Sequence, residues 1–220
     1  MDYKRITLLC GHYGSGKTNI AVNIAYDLRR RYENVAIADL DIVNPYFRTK
    51  DSEKELKEAG IRLIVSEYAN TNLDIPALPQ DMYAIVDDRT IHAVVDVGGD
   101  DRGAYALGRL SPAILKENSY DMLLVVNRFR PLTPDAESTI AVMREIEAAC
   151  GLPFTGIVNN SNLAAETEPE DVLSSLRYAE EVAEICGLPL VMTCAEEKVA
   201  SALCGKVENL FPMHLQKRPV

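Results

Sequence analysis

The sequence predicts an α/β fold in which a doubly wound, mainly parallel sheet of about seven strands carries helices on both faces. Short apolar, β-rich runs recur along the chain, and each is uninterrupted rather than alternating with polar residues. Such runs are typical of strands that are covered on both faces. The segments between them place apolar residues three or four positions apart, as at Ile20, Ile24 and Leu28, which is the spacing of an amphipathic helix.

Strand and helix alternate about seven times, which is the order of elements in a doubly wound sheet. The predicted strands cover residues 6–10, 35–38, 61–65, 93–97, 122–126, 154–158 and 188–192. Two helix starts carry capping signals: Thr133 precedes Pro134, and Thr167 with Glu170 has the spacing of a capping box. Apolar residues at helical spacing over residues 198–211 predict a last helix that packs on the sheet.

Length and composition indicate one globular domain covering residues 1–220. The chain is 47% hydrophobic and 25% charged, within the normal range for a compact domain. Its five cysteines are odd in number and form no CxxC pair. We therefore interpret them as buried, unpaired thiols rather than as a disulfide framework or a zinc site.

Charge and hydropathy argue against two classes of partner. The formal net charge of −10 argues against nucleic acid, because a phosphate backbone attracts clustered Lys and Arg. No stretch approaches the roughly 18 apolar residues of a membrane span, and the apolar run at residues 6–10 is shorter than a signal-peptide core. We expect a cytoplasmic protein that binds neither nucleic acid nor a membrane.

The strongest motif is GHYGSGKT at residues 11–18, which fills every fixed position of GxxxxGK(S/T). It directly follows a predicted strand and directly precedes an amphipathic helix, as a P-loop does in P-loop nucleoside triphosphatases. Lys17 is expected to neutralise the β- and γ-phosphates, and Thr18 to offer its hydroxyl to Mg²⁺. The predicted nucleotide-binding residues are Gly11, His12, Tyr13, Gly14, Ser15, Gly16, Lys17, Thr18 and Asn19. We expect the nucleotide to be ATP with Mg²⁺.

Carboxylates follow two of the predicted strands. In VVDVGG, Asp96 ends an apolar strand and Gly99 stands three residues later, which predicts a carboxylate that holds Mg²⁺ and a loop that senses the γ-phosphate. Asp39 and Asp41 stand two residues apart at the end of the second strand, so both can face the phosphates from an extended segment. We assign Asp39, with Thr18 and Asp96, to the metal shell.

Two further stretches, residues 41–50 and 98–108, begin where a strand ends and are rich in polar residues and glycine. In an open parallel sheet, ligands bind beyond the carboxyl ends of the strands. These stretches are therefore predicted to be loops that line the site.

The motifs resemble those of the MinD, ParA and ArsA ATPases, members of the larger class of P-loop proteins (the SIMIBI class) that includes nitrogenase iron protein and dethiobiotin synthetase. The resemblance extends over residues 6–192 and rests on GHYGSGKT, the pair of aspartates after the second strand, and Asp96 to Gly99. It implies that Asp41 orients the attacking water and that Asn159 contacts adenine. An asparagine amide can pair with the N6 and N7 edge of adenine, and Asn127, at the end of another strand, is an alternative reader of the base.

The chain departs from the family at two positions of the P-loop. The deviant motif of the family has a lysine second and a glycine third, and that lysine reaches the nucleotide of the other subunit. His12 and Tyr13 stand there instead. The missing cation would then come from His12 or from a loop arginine: Arg48, Arg128 or Arg130.

These features leave two enzymatic functions open. One is an ATPase that acts as a nucleotide switch on a partner protein or a second copy of the chain. The other is a small-molecule kinase or an ATP-dependent ligase like dethiobiotin synthetase, with residues 66–79 forming the acceptor pocket. A third possibility is a binding module that needs the nucleotide only for structure, but Asp39, Asp41 and Asp96 are more carboxylates than such a role requires.

Overall fold

The computed structural model describes residues 2–40, 52–65, 78, 80–99 and 101–215. Its strands and helices alternate along the chain as the sequence predicts, except that two consecutive helices follow the fourth strand. In chain order they are β1 (Ile6–Cys10), α1 (Lys17–Arg29), β2 (Val35–Leu40), α2 (Glu53–Glu58), β3 (Arg62–Val65), α3 (Gln80–Asp87), β4 (His92–Val97), α4 (Asp101–Gly108), α5 (Ser111–Glu117), β5 (Tyr120–Val126), α6 (Ala136–Cys150), β6 (Gly156–Asn159), α7 (Pro169–Cys186), β7 (Leu190–Glu196), α8 (Glu197–Leu203) and β8 (Leu210–Met213).

The described strands form one sheet in the order β3-β2-β4-β1-β5-β6-β7-β8, and every adjacent pair is parallel. This confirms the predicted fold class. The strand β1 lies between β4 and β5, where the strand order reverses, and in open α/β sheets ligands bind at the carboxyl ends of the strands around such a reversal. The P-loop follows β1 directly, so the topology sets it at this point.

The core divides into two main layers, one on each face of the sheet. Successive residues of β1 alternate between them: Leu8 packs in one layer with Val95 of β4, and Leu9 packs in the other with Val94 and Ile24. The central strands β1, β2, β4, β5 and β6 are buried on both faces, which explains their uninterrupted apolar runs. Within the described part of the chain, no helix combines the length and the apolar composition needed to cross a membrane.

An eighth strand corrects the prediction of seven. The segment 198–211, predicted as one helix, is helical only to Leu203, and β8 then adds to the edge of the sheet beside β7. The strand β8 is four residues long and contains Pro212, which an edge strand tolerates because it needs fewer ladder hydrogen bonds.

Three predicted boundaries also shift. The helix α6 begins after Asp135, whose carboxylate accepts a 2.9 Å hydrogen bond from the backbone of Ser138, whereas Thr133 is buried before it. The capping box of α7 is formed by Glu168 and Asp171, one residue later than predicted. Residues 101–108, predicted as loop, form α4.

Candidate functional site

The P-loop, residues 11–18, takes backbone conformations that require glycine at defined positions. Gly14 and Gly16 have φ angles of 76° and 88°, in the left-handed region that a side chain disfavours. A Cβ at Gly16 would overlap the side-chain amide of Asn160. Glycine-rich backbone of this kind is what a phosphate cradle uses.

Lys17 lies inside this loop. Its side chain is 5% exposed, and its Nζ donates hydrogen bonds to the backbone carbonyls of Gly11 at 3.0 Å and His12 at 3.3 Å. It is also the first residue of α1, whose first turn has no acidic side chain. The ammonium group and the positive end of the helix dipole consequently act on the same small volume.

The P-loop and the end of β4 are joined by a side-chain hydrogen bond. The Thr18 hydroxyl donates to Oδ2 of Asp96 at 2.6 Å, and Asp96 is 1% exposed. Asp39 is aligned with Asp96 across the β2–β4 ladder, so the two carboxylates project on the same face of the sheet. A hydroxyl and two carboxylates are hard oxygen donors of the kind Mg²⁺ prefers, and this donor set fits the predicted metal site.

The loop after β4 packs directly on the P-loop. A Cβ at Gly99 would lie 2.5 Å from the backbone nitrogen of Tyr13, and one at Gly103 would lie 2.7 Å from the nitrogen of Gly98. The P-loop, the Gly98–Gly99 turn and the first turn of α4 are thus in backbone contact. A displacement of one of them towards the next would meet backbone atoms.

A cavity of about 580 Å³ opens from the P-loop towards the carboxyl ends of β6, β7 and β8. This volume lies within the roughly 300–1,000 Å³ range of small-ligand pockets. The residues that line the cavity are Tyr13, Gly14, Gly16, Lys17, Thr18, Asn19, Arg130, Asn160, Asn162, Ala164, Ala165, Thr167, Val172, Cys194, Ala195, Glu196, Lys198, Met213 and Leu215.

The outer wall of the cavity combines neutral and paired groups. Burial raises the pKa of the Cys194 thiol, so this residue is a neutral, apolar part of the wall at neutral pH. Glu196 and Lys198 form an ion pair of 3.1 Å beside it.

The segment after β8 closes the same wall and is bound to α1. Asn23 of α1 donates from Nδ2 to the carbonyl of His214 and accepts from its N–H, both at 2.9 Å. Met213 and Leu215, the residues on either side, line the cavity.

Neither of the asparagines proposed as base readers lines the cavity. Asn159 is fully buried; its Nδ2 donates to the hydroxyl of Ser175 at 2.9 Å, and its Oδ1 accepts from the backbone and hydroxyl of Ser161. Asn127 is fully buried as well, and it bonds through its amide to the backbone of Asn162. Contact of Asn159 with adenine stays a prediction, and it would require these hydrogen bonds to break.

Other predicted site residues either line the cavity, lie outside its lining or fall outside the described residues. Lys17 and Thr18 line the cavity, whereas the His12 ring lies outside its lining with Nδ1 3.0 Å from the carbonyl of Tyr13. Asp41, most of the predicted acceptor segment 66–79 and Arg48 lie outside the described residues.

Sequence reasoning overlooked Asn160, which lines the cavity and binds the P-loop. Its position immediately after the strand that ends in Asn159 was the available signal.

The model of the CobQ/CobB/MinD/ParA nucleotide binding domain family matches residues 6–185. The chain belongs to this family. The match covers the P-loop, Asp96 and the strands that carry them, and it confirms the resemblance drawn from the motifs. The domain is therefore a nucleotide-binding P-loop domain. Among curated proteins, no sequence matches the chain.

Solved structures with a similar fold include proteins from three organisms. The signal recognition particle 54 kDa protein of Aeropyrum pernix K1, in complex with GDP, has a TM-score of 0.52 and 19% identity, covering 87% of this chain and 41% of that one. FtsY of Mycoplasma mycoides has a TM-score of 0.54 and 20% identity over 88% and 60% of the two chains. FtsY of Thermotoga maritima has a TM-score of 0.58 and 16% identity, covering 88% of this chain and 62% of that one. The chain thus spans less than two thirds of each of these proteins, and the similarity concerns the fold.

Proposed function

We propose that the domain is a Mg²⁺-dependent ATPase that works in the cytoplasm as a nucleotide switch on a partner protein. The observation that carries this proposal is the 2.6 Å hydrogen bond between Thr18 and Asp96 beside the buried Lys17. It joins the P-loop to the carboxylate that we propose as a metal ligand, which supports a site for nucleotide hydrolysis. The five free cysteines suit a reducing compartment.

In the proposed reaction, water oxygen attacks the γ-phosphorus and the bond to the β–γ bridging oxygen breaks. The products are ADP, inorganic phosphate and one proton, which passes to solvent. Lys17 neutralises the β- and γ-oxygens, and Asp41 orients the water. Thr18, Asp96 and Asp39 would hold Mg²⁺, which would supply positive charge beside the phosphates when bound.

Within the described part of the chain, no group of three or more His, Cys, Asp or Glu side chains is arranged to hold a metal. In the proposed site the nucleotide would supply part of the Mg²⁺ shell, as is usual for this ion.

ATP is proposed over GTP because residues 159–162 read Asn-Asn-Ser-Asn and lack the Lys and Asp of a guanine-binding NKxD motif. Because the similar signal recognition particle protein was solved in complex with GDP, GTP should be measured alongside ATP. A preference for GTP would move the proposal to a GTPase without changing the phosphate site.

The switch is supported by the backbone contacts of Gly99 with Tyr13 and of Gly103 with Gly98. A γ-phosphate at the P-loop would press on the Gly98–Gly99 turn, and α4 would follow. The surface around α4 is consequently where a partner protein, or a second copy of the chain, would detect the nucleotide.

The first test is phosphate release from ATP and from GTP with Mg²⁺, together with light scattering after size exclusion in ADP and in a non-hydrolysable ATP analogue. We expect ATP-selective release and a nucleotide-dependent mass, either alone or with the partner. Negligible release that rises when a metabolite is added would instead identify the small-molecule kinase or ligase.

Two variants separate binding from turnover. Lys17→Ala should abolish nucleotide binding, because it removes the ammonium group that is proposed to neutralise the β- and γ-phosphates. Asp41→Ala should leave binding largely intact and stop release of phosphate. Equal loss of binding in both variants would contradict the role given to Asp41.

A further inference from the structure

Arg130, in the loop between β5 and α6, lies against the P-loop. A Cβ at Gly14 would meet its guanidinium group, at 3.2 Å from both Cζ and Nε and 3.5 Å from Nη1. Arg130 also lines the cavity together with Lys17 and Thr18. The guanidinium group therefore lies on the loop that would cradle phosphates, within the same cavity.

The backbone of Arg130 is fixed in this position. Its N–H donates to the carbonyl of Asn127 at 3.1 Å, and its own carbonyl accepts from the N–H of Thr133 at 3.1 Å. Asn127 is in turn fully buried and bound through its side chain to the backbone of Asn162 and Phe129. A rigid loop of this kind presents a side chain at little entropic cost.

The Nε of Arg130 is shielded from solvent and has no hydrogen-bond partner among the described residues. A buried donor without an acceptor is costly, and each such group in a folded protein calls for an explanation. An anionic ligand would supply the acceptor, since a guanidinium group binds phosphate oxygens in a planar, two-bond geometry.

The neighbouring arginine is engaged elsewhere. Arg128 donates from Nη1 to the carbonyl of Ser174 in α7 at 2.6 Å, and its guanidinium group lies 5.9 Å from the ring centre of Phe129. The two arginines of the loop thus differ in direction: one is bound to a helix, and the other faces the cavity.

We propose that Arg130 contacts the phosphates of the bound triphosphate from within the same chain. Its guanidinium group thereby supplies a second positive charge in the cavity, which the His12 ring does not line. This inference rests on the proposed hydrolysis of ATP. During the reaction, charge grows on the bridging oxygen of the leaving ADP, and a second cation beside Lys17 stabilises that charge more than it stabilises the bound substrate. The site then needs no cation from a second subunit.

The test compares four proteins: wild type, Arg130→Ala, Arg130→Lys and, as a matched control from the same loop, Arg128→Ala. Phosphate release gives kcat and KM, and equilibrium binding gives the affinities for ADP and for a non-hydrolysable ATP analogue. Circular dichroism establishes that each variant is folded.

We expect Arg130→Ala to lower kcat by roughly 10²-fold or more, the effect of removing one transition-state donor. It should also weaken binding of the ATP analogue by about tenfold more than binding of ADP, a difference of about 1.4 kcal/mol. Arg130→Lys keeps the charge but not the planar geometry, so its kcat should lie between those of wild type and Arg130→Ala. Arg128→Ala should stay within about twofold of wild type.

The inference is overturned if Arg130→Ala keeps the wild-type kcat and the wild-type ratio of the two affinities, or if Arg128→Ala loses as much as Arg130→Ala. If wild type binds nucleotide without hydrolysing it, the ratio of affinities decides alone. If wild type binds neither nucleotide, the proposed function itself has failed, which the wild-type measurements establish before any variant is compared.

Discussion

Asn160, at the carboxyl end of β6, donates a 2.7 Å hydrogen bond to the backbone carbonyl of Ser15, which lies 145 residues earlier in the P-loop. Both residues are buried. The bond fixes the wall of the cavity to the loop that would hold the phosphates. Because the preceding residue, Asn159, turns into the core, the two adjacent asparagines should behave differently when replaced.

Asn160→Ala should weaken nucleotide binding by about tenfold, which corresponds to about 1.4 kcal/mol, because the P-loop loses its link to β6. The loss should be similar for ATP and GTP, since the bond is made to the backbone and not to the base. Titration with both nucleotides measures it.

Asn159→Ala is the companion variant. Its amide bonds to Ser175 and Ser161, so we expect a loss of stability of about 1–3 kcal/mol and an unchanged ratio of ATP to GTP affinity. If this variant loses its preference for ATP, the assignment of Asn159 as the adenine contact is correct after all.

Thr18→Val should remove the effect of Mg²⁺ on nucleotide affinity. Valine has nearly the shape of threonine but no hydroxyl to offer to the metal or to Asp96. The measurement is the affinity for the ATP analogue with Mg²⁺ and with a chelator. Thr18→Ser keeps the hydroxyl and should keep the dependence; a Val variant that still responds to Mg²⁺ would remove Thr18 from the metal site.

Gly99→Ala should weaken binding of the triphosphate, because its Cβ would lie 2.5 Å from the backbone nitrogen of Tyr13 and the P-loop would have to move. Overpacking of this kind costs about 1–3 kcal/mol. Gly205→Ala is the control: its Cβ would meet nothing within 4 Å, although its φ of 75° is strained for alanine. Gly205→Ala should lower the melting temperature and leave nucleotide affinity unchanged. Equal triphosphate affinities for Gly99→Ala and Gly205→Ala would contradict the proposed contact.

Acid should destabilise the domain partly through Glu117. Hydrogen bonds from Arg5 lower the pKa of this carboxyl group, and both side chains are largely buried, at 8% and 11% exposure. A lowered pKa in the folded state means that the stabilisation is complete above the unfolded pKa of about 4.3 and is lost as the pH falls through the folded value.

Glu117→Gln should therefore cost about 1–3 kcal/mol at neutral pH and show a weaker loss of stability below pH of about 4.3. Urea unfolding of both proteins across that range measures the difference. Glu180→Gln, on the exposed side of α7, should retain the wild-type dependence. A Glu117 variant whose stability falls with pH as steeply as wild type would assign the acid sensitivity to other groups.

The sequence predicted most of the sheet because each central strand is buried on both faces and is therefore continuously apolar. It did not predict β8, since an edge strand of four residues leaves too short a pattern, and the apolar residues before it are also compatible with a helix. The sequence did not predict the strand order either, because that order depends on which strands pair across long crossovers.

The motif residues of the site were predictable for a similar reason. Lys17, Thr18 and Asp96 belong to patterns in which the phosphate chemistry restricts both residue type and spacing. Asn160 and Arg130 obey no such pattern. Whether Asn159 or Asn160 faces the cavity depends on how the chain leaves β6, and whether Arg128 or Arg130 does so depends on the turn held by Asn127.

The hydrogen bonds between Asn23 and His214 join positions 191 residues apart and close the cavity with residues from the edge of the sheet. A ligand that fills this cavity gains its full set of contacts only when β8 is docked, so ligand binding and docking of that edge are thermodynamically linked. Saturating ligand should then slow amide hydrogen exchange at residues 210–215 more than at the central strands, which open only with the whole domain.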